Sequence, residues 1–112
     1  MDRTEALKKV RQYLVALEQE GIPVAFAVLF GSCAKESWHV DSDIDVVVVS
    51  PLFDTKRDRR LQKILWRVAA DIDPRIEPIP CGQEEWSSPD GTRPILDSIQ
   101  WEGNYVRLDA AA

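Results

Sequence analysis

The run D-S-D-I-D-V-V-V-V, residues 41–49, restricts the folds open to this chain more than any other feature. The valines Val46 to Val49 want burial on both faces, which a strand inside a sheet provides. Just ahead of them Asp41, Asp43 and Asp45 are spaced two apart. Side chains two apart in a strand share a face. Asp43 and Asp45 therefore project together, about 7 Å apart at the usual rise. Carboxylates held side by side repel and are costly to desolvate unless a positive charge joins them. A divalent cation is the obvious partner.

The rest of the chain supplies a frame for that strand. Residues 2–20 read as an amphipathic helix, with Leu7, Val10, Leu14 and Leu17 at helical spacing. Asp2 and Glu5 suit a capping box, and Gly21 with Pro23 stops the helix. Val24–Phe30 reads as a buried strand broken by Gly31-Ser32. Cys33–Ser37 is expected to make a short helical turn, followed by a loop through Trp38, His39 and Val40. Ile44–Val49 is a central strand, and Leu52–Lys56 a loop.

Residues 57–72 predict a second long helix, with Leu61, Ile64, Leu65 and Val68 on one face and Pro74 ending it. Arg75–Pro80 predicts a third strand, which Pro78 confines to an edge or a bulge. A short helix fits within residues 83–91, another helix at Arg93–Trp101, and a last strand at Asn104–Leu108. The order describes an α/β (α+β) fold, a small mixed sheet flanked by helices. At 112 residues it is one domain, residues 1–112.

Composition narrows the setting. The longest apolar runs are too short to cross a bilayer. The N-terminus lacks the pattern of a signal peptide, so a cytoplasmic location is expected. Cys33 and Cys81 fit that compartment as free thiols and lack zinc-site spacing. The formal charge of -5 argues against a broad nucleic-acid surface.

The chemistry gathers around the acids. Gly31 lets backbone approach a ligand closely, and a helical turn after it points N–H groups outward, as in a phosphate site. Ser32 adds a hydroxyl for a phosphate oxygen. Asp43 and Asp45 suit Mg²⁺, which takes one or two carboxylates together with substrate phosphates. Glu77, on a strand beside them, would complete a three-carboxylate cluster. A second metal ion then fits about 3.5–4 Å from the first.

These residues also carry a resemblance. The segment F-G-S-C-A-K-E-S-W-H-V-D-S-D-I-D-V-V-V resembles the signature of the DNA polymerase β-like nucleotidyltransferase superfamily. That signature is Gly-Ser, ten residues, then D-x-D, matched here by Gly31-Ser32, Cys33 to Ser42, and Asp43-Ile44-Asp45. The short length resembles the minimal nucleotidyltransferase (MNT) group. The likeness runs from Val24 to Pro80, with a weaker echo in Trp101–Val106.

It implies that Gly31 and Ser32 hold a nucleoside triphosphate, ATP above all, and that Asp43 and Asp45 bind metal. It implies a third acid on the next strand, here Glu77 where members usually carry Asp; Asp73 competes for the role, and Asp41 has no counterpart. Lys35 and Glu36 stand where many members carry Arg and Gly. Lys35 can reach a phosphate, whereas Glu36 repels one if it faces the site.

The resemblance implies a partner as well. Minimal nucleotidyltransferases are commonly paired with helical HEPN proteins in toxin–antitoxin systems, so this chain is expected to be an antitoxin that adenylylates its toxin. Two other readings remain. One is a weakly active module that neutralises a partner by contact, and the other an enzyme acting on an aminoglycoside-like small molecule in a homo-oligomer. Plainer roles apply elsewhere: His39 as a surface residue, Cys33 as packing, and Trp38 and Trp66 as either core-edge packing or partner contacts.

Overall fold

The computed structural model describes residues 3–30, 43–55, 59–87 and 104–106. Its first helix, α1 (Arg3–Gln19), buries Ala6, Val10, Tyr13, Leu14 and Leu17 along one stripe. Leu7, expected in that stripe, is only partly buried. Tyr13 takes its place, and its hydroxyl donates to the Leu65 carbonyl at 2.9 Å. Burial pushes that phenol far above its ordinary pKa.

Gly21 ends the helix as expected, with φ at 90°. The Gly21 N–H bonds the Glu18 carbonyl and the Ile22 N–H reaches back to Leu17, both at 3.0 Å. This is a Schellman closure, in which a left-handed residue lets the chain satisfy the last carbonyls of the helix. Ile22 and Leu17 join the same buried cluster, as that motif favours. The Asp2 half of the expected capping box lies outside the described residues.

Four strands follow: β1 (Phe26–Phe30), β2 (Ile44–Ser50), β3 (Ile76–Gly82) and β4 (Asn104–Val106). They form one sheet in the order β3-β2-β1-β4. β1 is antiparallel to both β2 and β4, while β2 and β3 are parallel. The valine run is thus interior, and β3 is at the edge that Pro78 requires. β1 starts two residues later than its apolar run, because the Val24 N–H is held by the Glu18 carboxylate at 2.8 Å.

The two sheet faces bury different things. Ala27, Leu29, Ile44, Val46, Val48, Ile76 and Val106 pack into one core with α1 and with α3 (Arg59–Ile72). Val28, Val47, Val49 and Cys81 face the other way, against Trp86 of the short helix α4 (Gln83–Ser87). Phe26 meets Trp86 edge-on at 5.7 Å between ring centres.

The segment expected as a loop at Leu52–Lys56 instead contains a helical turn, α2 (Leu52–Thr55). Ser50 Oγ caps it by accepting the Leu52 N–H at 3.1 Å, Pro51 fits its first turn, and Phe53 is buried. Four residues are too few for a helical period to show in sequence. The turn expected at Cys33–Ser37 and the helix at Arg93–Trp101 lie outside the described residues.

Candidate active site

Strand parity places the acids. In β2, Ile44, Val46 and Val48 enter the core under α1 and α3, so Asp45 falls on the other face with Val47 and Val49. In β3, Ile76 points into the first core, which puts Glu77 on the same face as Cys81. The parallel register sets Asp45 directly opposite Glu77. Adjacent strands are about 4.8 Å apart, so the two carboxyl groups are neighbours. The Ile44 N–H donates to the Arg75 carbonyl at 2.7 Å and starts this pairing at the acid end of the sheet. Asp43 immediately precedes β2 and is exposed, whereas Asp45 and Glu77 are half-buried. β1 ends at Phe30, in register with Asp45 from the opposite side.

Proximity shows in the protonation of these groups. Partial burial raises the Glu77 carboxyl above its ordinary range; the charges of Asp43 and Asp45 raise it further, as do hydrogen bonds that a protonated Glu77 donates to both. Asp45 is raised by burial as well; the proton from Glu77 offsets part of this, and the charge of Asp43 adds to it. The cluster thus concentrates negative charge and holds on to a proton, as close carboxylates must.

Among the described residues no three His, Cys, Asp or Glu side chains form a ready-made metal cage. Glu77 is hydrogen-bonded to both Asp43 and Asp45. The donors are nonetheless all carboxylate oxygens, a hard set that suits Mg²⁺ far better than a metal favouring nitrogen or sulfur. A divalent cation relieves the same repulsion that the shared proton relieves, so the residues fit such an ion.

Asp73, the competing third acid, has other work. Its carboxylate clamps Arg75, with Nε to Oδ1 at 3.0 Å and Nη2 to Oδ2 at 2.6 Å, and it also accepts the Arg75 backbone N–H at 2.9 Å. The side-chain bond to Arg75 holds the Asp73 pKa below its ordinary value despite burial. Asp73 therefore closes the turn from α3 into β3 and leaves Glu77 as the acid beside Asp45. Sequence reading missed this clamp, although an Asp followed by Pro and then Arg between a helix and a strand is a turn signal.

The remaining candidates, Gly31, Ser32 and Lys35, lie outside the described residues, as do Cys33, Glu36, Trp38, His39 and Asp41. Cys81 is a buried free thiol that donates to the Gly82 carbonyl at 3.3 Å, a packing role. None of the described helices is long and apolar enough to cross a membrane.

The chain is thus an α/β domain, a mixed sheet with helices on its faces and paired acids where β2 and β3 begin. Residues 7–100 match the family model of the nucleotidyltransferase domain, and the chain belongs to that family. Membership brings nucleotidyl transfer, with a nucleoside triphosphate as substrate and a divalent metal as helper. No curated protein matches the chain. Among solved structures, the chain is similar to the crystal structure of a candidate nucleotidyltransferase from Sulfolobus solfataricus. The TM-score is 0.56 at 13% identity, and the match covers 92% of this chain and 80% of that one. At that identity the likeness speaks for the fold.

Proposed function

We propose that this domain transfers AMP from ATP, with Mg²⁺, to a hydroxyl on a HEPN-type partner protein and thereby acts as the antitoxin of a toxin–antitoxin pair. The register of Asp45 against Glu77, with Asp43 beside them, is the observation that carries the chemistry. Asp43, Asp45 and Glu77 would hold the metal. Bound there, it supplies positive charge to the triphosphate and lowers the pKa of the attacking hydroxyl.

The chain's own residues do the rest. β2 and β3 fix the acids on a rigid ladder, so little reorganisation is needed when charge develops. The acceptor oxygen attacks the α-phosphorus, the bond to the bridging oxygen breaks, and pyrophosphate leaves. Glu77, held opposite Asp45 by the register of β2 and β3, takes the acceptor proton. Gly31 and Ser32 are assigned to the triphosphate on the strength of the motif, and Lys35, which stands where many members carry Arg, on its reach to a phosphate.

The test is label transfer from ATP labelled at the α-phosphate, with Mg²⁺ and a HEPN partner present. The wild-type chain should label the partner, and Asp45→Asn should lower the rate by at least about a hundredfold. Absence of transfer, with toxin still neutralised by the Asp43→Asn/Asp45→Asn chain, would instead make this a contact-only inhibitor. Label on an aminoglycoside and none on protein would assign it to small-molecule chemistry.

A further inference from the structure

Helix α3 carries a feature that the acids do not use. Arg59, Lys63, Trp66 and Arg67 follow one another at i, i+4, i+7 and i+8, on the side opposite the buried Leu65, Val68 and Ala69. Arg60 flanks them. From Arg59 to Arg67 the stripe spans about 12 Å at the helical rise. No acidic residue occurs between Arg59 and Ala70. Trp66 keeps 50% of its surface exposed, a large apolar side chain among cations.

This face is concave. Arg59, Arg60, Lys63, Ile64 and Arg67, with Glu20 from the last turns of α1, line a depression of about 570 Å³. Arg67 reaches Glu20 at 2.9 Å in a well-exposed ion pair. Among the described residues Arg59, Arg60 and Lys63 have no carboxylate partner. The place is also separate from the acids. β2 leads away from them to α2, and α3 then returns the chain to the start of β3. The N-terminal half of α3 therefore lies at the far end of the sheet, on the opposite face from Asp45 and Glu77.

We propose that this face docks an acidic helix of a partner protein. Carboxylates at i, i+4 and i+8 on such a helix repeat every 6 Å or so, the spacing of Arg59, Lys63 and Arg67. Trp66 and the arginines are the side-chain types that dominate protein interfaces. Charge elsewhere favours a short acidic segment over nucleic acid. The chain carries a formal charge of -5 even with these cations included. Nucleic-acid affinity grows with the number of phosphates neutralised, and a strand running beyond this stripe meets an acidic molecule. A partner helix ends where the stripe ends. The inference stands apart from the identity of the nucleotide acceptor.

The experiment uses the full chain and a fluorescein-labelled synthetic helical peptide with glutamate at every fourth position, followed by fluorescence anisotropy at low salt. The wild-type chain should bind it. Arg60→Glu/Lys63→Glu should bind at least about tenfold more weakly, and added salt should weaken the wild type. Lys8→Glu/Arg11→Glu, an equal charge change on exposed positions of α1, should bind like the wild type. Trp66→Ala should weaken binding and leave the salt dependence in place. The proposal is overturned if the wild type does not bind, or if the α1 reversal weakens binding as much as the α3 reversal. Tighter binding of a single-stranded RNA oligonucleotide would overturn it too. So would self-association that Arg60→Glu/Lys63→Glu abolishes, since a second copy would then own the face.

Discussion

Two aspartates in this chain sit near the same turn and behave oppositely with pH. Asp45 and its neighbour Glu77 have raised pKa values, so their charged forms are penalised in the folded state. Their contribution to stability is full in acid and is lost as pH rises through the folded values. In metal-free buffer at about pH 7.5, Glu77→Gln should therefore melt a few degrees higher than the wild type, with the gap closing towards about pH 4. Mg²⁺ should raise the wild-type melting temperature more than that of the variant. Thermal denaturation across pH checks both. Asp73 runs the other way. Its pKa is lowered, so its contribution is present above the ordinary carboxylate value and is lost as pH falls through the folded one. Asp73→Asn should cost about 1–3 kcal/mol by urea denaturation at neutral pH, because it loosens a charged, nearly buried clamp. In sequence the D-x-D spacing marks Asp45, whereas the Arg75 contact of Asp73 leaves only the turn signal Asp73-Pro74-Arg75.

At the scale of elements, what repeats was legible and what happens once was not. The periods of α1 and α3 and the valine run of β2 declared themselves, and Pro78 correctly sent β3 to an edge. Tyr13 escaped because a phenol counts as polar by name while its ring fills the core. The short helices depend on single contacts. α4 is held by Asp54 of α2, whose carboxylate accepts the Glu84 N–H at 3.1 Å, and by Glu85, which accepts the Gly82 N–H at 3.1 Å. A Cβ at Gly82 would collide with the Asp54 carboxylate. Gly82→Ala should thus lower stability by about 1–3 kcal/mol in denaturant titrations. Asp54→Ala/Gly82→Ala should recover part of that loss, because the colliding group is gone. The parallel partnership of β2 and β3 needed tertiary information, since the length of α3 decides where the chain returns. It places Glu77 opposite Asp45 rather than one residue away, and a slip of one would turn Glu77 to the core.

For the molecule as a whole, charge is divided between two surfaces. Carboxylates gather where β2 and β3 begin, and cations gather on the outer face of α3 near its start. An excess of acid over base keeps the sum at -5 and hides the basic stripe from any reading of composition alone. Family membership gives nucleotidyl chemistry, and the assignment of the site depends on which third acid faces Asp45. Calorimetric titration of a non-hydrolysable ATP analogue with Mg²⁺ tests that directly. Binding should be retained by the wild type and by Asp73→Asn, and should fall at least about tenfold in Asp45→Asn and Glu77→Gln. Full binding by Glu77→Gln, with loss in Asp73→Asn while it remains folded, would contradict the assignment of the site.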